Sequence, residues 1–319
     1  MPTLKKAPEI VLGFDVSKDT LTVFQDRSPS LNPKPCVIDN TAVAIRRFLK
    51  SLGRIDLAVC EPTGGHEHVL LVELMAAGIV CHRVDALKVK AFIRSFGTLA
   101  KTDALDAEAL AQYGKDRWER LSLFQPPEAD RKMLTELVAR REDLIAMKVA
   151  EQNRSRAPAG KVIKASCASI LRAITRQIEA IEEETRALID KSPQLRAAFR
   201  EMQSLPGVGA ITATVLLAHM PELGNLQRRQ AASLAGVAPH ANDSGQFRGH
   251  RTMRGGRSQV RRHLFMAALA ASHANGPLRE AYQRFIANGK KRIVAIGALM
   301  RKIIVILNAK LRDLNAQQS

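Results

Sequence analysis

Four carboxylates and one serine stand out as residues whose types and neighbours could act on a phosphodiester. Asp15 lies in Gly13-Phe14-Asp15-Val16-Ser17-Lys18, and Glu61 in Val59-Cys60-Glu61-Pro62-Thr63-Gly64-Gly65. Asp103 and Asp106 lie in Lys101-Thr102-Asp103-Ala104-Leu105-Asp106-Ala107. Two of these acids fall where short apolar strands should end or turn over, and two are spaced to share one helical face. A fold that gathered all four would need a cation among them, because clustered carboxylates repel. Hard oxygen ligands suit Mg2+ or Mn2+. Two such ions about 4 Å apart activate a nucleophile and stabilise a leaving oxygen. Taken singly, each acid has a plainer role: Asp15 capping a turn, Glu61 solvated, Asp103 and Asp106 complementing a helix N-terminus.

A second constellation lies far downstream. From Ser244 to Arg262 the chain carries six arginines and no acid: Arg248, Arg251, Arg254, Arg257, Arg261 and Arg262. Arginine makes bidentate phosphate contacts, and the interspersed glycines allow close backbone approach, so this stretch is the candidate nucleic-acid surface. Ser244, beside Gly245, is a candidate nucleophile there, since the cations would stabilise a pentavalent phosphate. On residue chemistry alone a Ser in a flexible polar loop is usually just a turn former, and as nucleophiles Thr252 and Ser258 would be little worse. Leu205-Pro206-Gly207-Val208-Gly209 resembles the turn of a helix-hairpin-helix module, in which Gly207 and Gly209 would present N–H groups to a phosphate. The same turn also serves to pack two helices. His66 and His68 are two apart, do not share a helical face, and are assigned to the surface or to capping.

Charge supports an anionic partner. The 319-residue chain has a net charge of +18 and a pI near 10.2. Residues 196–319 hold 19 Lys+Arg against 5 acids, so +14 of that charge lies in this segment. Nucleic acid is favoured over membrane: no apolar run reaches the roughly 18 residues of a span, no signal-peptide core follows Met1, and no aromatic-anchored amphipathic helix is evident. Only 4% of residues are aromatic, so phosphate and shape contacts should dominate base stacking. Cys36, Cys60, Cys81 and Cys167 are scattered, which fits buried thiols in a reduced cytosol rather than zinc.

Three units should position these residues, with boundaries at Pro126-Pro127 and Ser192-Pro193. In residues 1–125, strands are expected at Ile10–Asp15, Leu21–Phe24, Cys36–Asp39, Ile55–Cys60 and Ile79–Val84. Helices are expected at Ala42–Leu52, Val69–Ala77 and Lys88–Phe96, with a last one N-capped by Thr102. The order β-β-β-α-β-α-β is that of ribonuclease H-like mixed sheets. Residues 126–195 show near-heptad spacing at Leu171, Ile174, Ile178, Ile181 and Leu188, broken at Thr185, with a turn at Arg156–Gly160. That pattern predicts an antiparallel helical hairpin or an intermolecular coiled coil. Residues 196–319 read as helical apart from the Ser244–Gly256 loop, with Asn315–Ser319 as a frayed tail.

Six motifs in this order make the chain resemble the transposases of the insertion-sequence 110 family, 1111 group. They are the Asp15, Glu61 and Asp103/Asp106 motifs, Leu205-Pro206-Gly207-Val208-Gly209, Ala235-Gly236-Val237-Ala238-Pro239, and Asp243-Ser244-Gly245 followed by Arg248-Gly249. The resemblance spans nearly the whole length. It implies an α/β RuvC-like domain of ribonuclease H fold whose metal set is Asp15, Glu61, Asp103 and Asp106. It further implies a helical coiled-coil linker and a mostly helical transposase domain with Ser244 as the catalytic serine. The implied reaction is strand exchange through a serine–DNA phosphoester, with the metal domain and serine loop of different protomers forming one active site. Implied partners are donor and target DNA, a structured guide RNA and a homo-oligomer of two or four chains, in the cytoplasm at the nucleoid. The alternatives are a RuvC-like nuclease or inversion recombinase without guide RNA, and a non-catalytic nucleic-acid-binding scaffold.

Overall fold

A computed structural model describes residue 4 and residues 6–26, 34–97, 102–158, 160–245, 247–249 and 251–318, with backbone only at 247, 248 and 318. The chain divides into two compact units, Met1–Pro126 and Pro127–Ser319.

The first unit runs β1 (Val11–Val16), β2 (Thr20–Asp26), β3 (Cys36–Asp39), α1 (Ala42–Ser51), β4 (Leu57–Cys60), α2 (His68–Ala76), β5 (Cys81–Arg83), α3 (Ala86–Ser95) and α4 (Asp103–Arg117). This is the order expected from the sequence. The strands form one mixed sheet, β3-β2-β1-β4-β5. β2 is antiparallel to β1 and β3, while β4 runs parallel to β1 and β5. Both faces are covered, so β1 and β4 are nearly continuous apolar runs rather than alternating ones. Leu12, Phe14, Ala58 and Cys60 face α1 and α2, meeting Ile45, Leu49, Leu70 and Leu74. Val11, Leu57 and Val59 face the other way, against Val89 and Phe92 of α3 and Leu110 and Ala111 of α4.

Two glycines set how closely α4 lies on the sheet. A Cβ at Gly13 would sit 2.0 Å from the Ala107 carbonyl oxygen and 2.6 Å from the Ala111 nitrogen. Reciprocally, a Cβ at Gly114 of α4 would sit 2.7 Å from Val59 Cγ2 and 3.0 Å from Val11 Cγ1. Backbone thus packs on backbone, and α4 is seated over the centre of β1.

The second unit contains α5 (Ala129–Arg156), α6 (Lys161–Lys191), α7 (Pro193–Gln203), α8 (Ala210–His219), α9 (Arg228–Leu234), strands β6 (Pro239–His240), β7 (Asp243–Ser244), β8 (Phe247–Arg248) and β9 (Thr252–Met253), then α10 (Ser258–His273), α11 (Pro277–Ala287) and α12 (Arg292–Gln318). α5 and α6 form the antiparallel hairpin of the two alternatives. Arg141 pairs with Glu182 at 2.7 Å, and Leu144 packs on Ile174 and Ile178. At the heptad break, Thr185 is buried because its hydroxyl donates to the Ile181 carbonyl at 2.6 Å.

Three expectations change. The hairpin is not a separate body: Leu134, Val138 and Ile189 share one core with Leu216, Leu264 and Ile303, so two compact units stand where three were expected. Apolar residues at one end of the hairpin, absent from a strict coiled-coil seam, make that attachment. The C-terminus is not frayed at Asn315, because α12 continues to Gln318. Cys36 is exposed on the edge strand, whereas Cys60, Cys81 and Cys167 are buried and all four are free thiols. Among the described residues no helix is long and apolar enough to cross a membrane.

Candidate active site and nucleic-acid interface

Strand register and side-chain parity locate the carboxylates. β1 and β4 are parallel with Phe14 opposite Cys60, so Asp15 and Glu61, one residue further on each, come next at adjacent strand ends. Side chains alternate along a strand. Asp15 therefore shares the face of Val11 and Gly13, and Glu61 that of Leu57 and Val59, which is the face covered by α4. Ala107 rests on Gly13, so the first turn of α4, with Asp103 and Asp106, extends past it toward this end of β1. Thr102 starts that turn as expected: its hydroxyl accepts from the Leu105 N–H at 3.3 Å. Positive charge at the helix N-terminus favours carboxylates there.

All four acids thus belong to one face and one end of the first unit. Asp15, Glu61 and Asp106 are half-buried and Asp103 is exposed. Among the described residues, no three His, Cys, Asp or Glu side chains come close enough together to hold a metal ion. In chemistry the four oxygen donors suit a hard divalent cation, and as placed here no three of them form a ligand shell.

Two residues organise the surrounding loops in ways the sequence did not indicate. Glu67 is buried, and its Oε2 accepts from the Thr63 and Gly65 N–H groups at 3.0 Å each, while Oε1 faces Arg83 at 3.4 Å. It thereby holds the turn after Glu61, where Gly64 and Gly65 have φ of 61° and 100°. Burial opposes ionisation of Glu67, yet the N–H donors and the Arg83 charge outweigh it and hold the carboxyl below its ordinary range. Asn40 precedes Thr41, the N-cap of α1, and takes no part in that cap. Its amide instead donates to Ser17 O at 2.9 Å and His66 O at 3.0 Å, tying the loop after Asp15 to the loop after Glu61. For Glu67 the available signal was its place two residues after the Gly64-Gly65 turn, whose N–H groups need partners; Asn40 stands beside no glycine and carried no such signal. His66 and His68 are exposed, as assigned.

In the second unit the Ser244 stretch is not a plain loop. Ser244 and Asp243 pair with Phe247 and Arg248 in a small antiparallel ribbon, and Gly245 beyond Ser244 has φ of 55°. Ser244 is exposed at the end of that ribbon. A second ribbon pairs Pro239–His240 with Thr252–Met253. Gln246 lies outside the described residues, as does the side chain of Arg248.

The basic and glycine residues divide into two groups. Arg251, Arg254 and Arg262 are exposed, as a phosphate-contacting surface requires. Arg257 is instead engaged internally: its two terminal nitrogens each reach Glu222 at 2.7 Å. Burial raises the Glu222 pKa, but Arg257 overrides it and the net shift is downward. Arg261 donates to the Gly255 carbonyl at 2.8 Å. Gly256 is pressed against Gly236, where a Cβ would lie 2.2 Å from the Gly236 nitrogen, so this glycine serves internal packing. Gly207 does the same, with φ of 93° and a would-be Cβ 2.5 Å from the Ala267 carbonyl oxygen of α10. Gly209, the N-cap of α8, faces open space.

A mixed sheet with acids at the strand ends, joined to a mostly helical second unit, is consistent with a ribonuclease H-like domain of the DEDD type. Two family models match: one described as a transposase, of the DEDD type of IS110 elements, over residues 12–158, and one described as the transposase IS116/IS110/IS902 family over residues 200–283. The chain is 30% identical over 237 residues to the pilin gene-inverting protein of Moraxella bovis, covering 72% of each chain. The pilin gene-inverting protein of Moraxella lacunata matches to the same extent. An insertion element IS110 protein of 43.6 kDa from Streptomyces coelicolor is 35% identical over 154 residues, 48% of this chain and 37% of that one. The chain belongs to the IS110 family of transposases. It is an enzyme of the DNA transposase/recombinase class.

Proposed function

We propose that the protein mobilises its own insertion element, cleaving and rejoining DNA strands with help from divalent metal at a RuvC-like carboxylate site. The observation that carries this reading is the register of β1 on β4 with α4 seated on Gly13, which directs Asp15, Glu61, Asp103 and Asp106 to one end of one face. Mg2+ or Mn2+ bound there would stabilise charge on attacking and leaving oxygens. Asp15 and Glu61 are the strand-borne ligands in this reading, and Asp103 and Asp106 the helix-borne ones, steadied by Glu67 and Asn40 around them. Ser244 is the nucleophile. Its Oγ gives up a proton and bonds to phosphorus, the strand's own oxygen leaves as a free hydroxyl, and a hydroxyl of the recipient strand reverses the exchange. Exposure of Ser244 at a ribbon end, at the start of the arginine-rich, acid-free stretch 244–262, supports that role.

The reading extends to partners. Concentration of +14 of the charge in residues 196–319 supports DNA binding there, and scarcity of aromatic residues supports leaving sequence choice to a base-paired guide RNA. Donor and target DNA are then held by an oligomer of two or four chains, in the cytoplasm at the nucleoid. Likeness to pilin gene-inverting proteins favours a second reading, inversion of a DNA segment without a guide.

Ser244→Ala and Asp15→Asn, assayed on DNA carrying element ends, test the mechanism. Loss of a denaturation-resistant protein–DNA adduct in Ser244→Ala, with binding retained, is expected; Asp15→Asn should lose all strand exchange. Undiminished exchange by both variants would reject the mechanism. Sequencing of co-purified RNA separates the two readings: a discrete RNA encoded beside the gene supports the guide, and random cellular RNA supports inversion.

A further inference from the structure

Beside the ribbon of Pro239–His240 with Thr252–Met253 the second unit opens into a groove of about 1200 Å³. That is at or above the upper end of the roughly 300–1,000 Å³ range of small-molecule pockets. Arg228, Arg251, Arg262, Lys290, Arg301 and Lys302 lie along it and are all exposed, and its described lining holds no acid. Among the described residues the ion pairs of this unit, such as Arg257 with Glu222 and Lys310 with Glu201, use none of these six. The floor between the cations is apolar. Phe265 and Phe285 lie in it half-buried, and Met266, Ile293 and Val294 are 56%, 64% and 52% exposed. One wall is made by the second ribbon: Met253 of β9 meets α12 where Gly297 leaves room, a Cβ there falling 2.8 Å from Met253 Cε.

We propose that this groove binds unpaired DNA, with phosphates on the six cations and base faces on the Phe265–Phe285–Ile293 floor. A duplex keeps its base faces stacked inside and could use the cations but not the floor. An acidic protein would satisfy the charge, but a DNA transposase/recombinase generates unpaired strands as part of its own reaction. Strand cleavage and exchange expose unpaired nucleotides next to the cut, so the site deepens the DNA-exchange reading and rests on it. Single strands bind proteins by this combination of a cationic track and apolar or aromatic platforms.

The test uses the full-length protein and fluorescence anisotropy with a short single-stranded DNA, the same sequence as duplex, and the same sequence as single-stranded RNA. Met266→Glu and Ile293→Glu, both on exposed sites, should weaken single-stranded DNA binding about tenfold or more and duplex binding much less. Arg301→Gln should lower the salt slope for the single strand by about 0.7. A photo-crosslinking base in the strand should attach to peptides containing Phe265 or Phe285 in the unsubstituted protein, independently of any variant's folding. Equal loss for single strand and duplex, a loss confined to RNA, a changed oligomeric state with unchanged DNA binding, or crosslinks elsewhere would each overturn the proposal. Ser244→Ala should bind the single strand like the parent. Retained floor effects with no covalent adduct in the parent would reject the serine step and keep the groove; the converse would reject the groove alone.

Discussion

Gly13→Ala adds one methyl group at the point where α4 touches β1. That methyl would lie 2.0 Å from the Ala107 carbonyl oxygen, whereas real Cβ contacts essentially never fall under 3.0 Å. The obstructing atoms are helix backbone and cannot rotate aside, so α4 must retreat by about 1 Å or more. Overpacking of this kind costs about 1–3 kcal/mol. The displaced helix carries Asp103 and Asp106 relative to Asp15 and Glu61 on the sheet, and a misplacement of about 1 Å can cost a reaction about 100-fold. We expect Gly13→Ala to lower the urea midpoint accordingly and to reduce strand exchange by about two orders of magnitude, with DNA binding by the second unit retained. Gly53→Ala is the matched control, because a Cβ there meets nothing within 4 Å. Parent-like stability and exchange in Gly13→Ala would refute the claim that this contact sets the carboxylate geometry.

Glu67→Gln leaves one carboxamide oxygen where a carboxylate accepts from Thr63 and Gly65 N–H and faces Arg83, so the Glu61 turn should loosen. A ten- to hundredfold rise in the Mg2+ needed for exchange is expected, about the usual effect of removing a ligand's supporting group, read by metal titration of the reaction. Arg257→Ala breaks a two-point ion pair with Glu222 and should cost about 1–3 kcal/mol in unfolding experiments. Exposed Arg262→Ala should leave stability unchanged and weaken DNA binding instead; the reverse assignment would show Arg257 to be the phosphate contact. Burial, chiefly, lowers the pKa values of His219 and His263 below the ordinary 6.5, against the opposing charge of Glu142. Below that value the unfolded chain binds protons that the folded chain refuses, so stability is complete above it and falls as pH drops through the folded pKa values. Melting temperatures from about pH 7.5 to about pH 5 should show the decline. His219→Leu should flatten part of it.

Sequence alone determined the local elements of the first unit and the types of its candidate ligands. Uninterrupted apolar runs such as Val11–Phe14 and Leu57–Cys60, the Thr102 cap and the Pro126 boundary are written in short windows, and the structure follows them. The residues Arg156-Ala157-Pro158-Ala159-Gly160 also marked the break between α5 and α6, because proline and glycine interrupt a helix locally. Only tertiary structure decided what each polar or glycine residue does. Gly13 and Gly209 look alike in sequence, yet one is crushed against a helix backbone and the other faces open space. Arg257 and Arg262 belong to one basic run, but Glu222, 35 residues upstream of Arg257, makes one structural and leaves the other exposed. Glu67 and Asn40 acquire roles only because distant loops bring them N–H and C=O groups that require partners. Register pairs Phe14 with Cys60, so Asp15 and Glu61 follow at neighbouring strand ends, and it depends on pairing between strands over 40 residues apart, which no local pattern encodes.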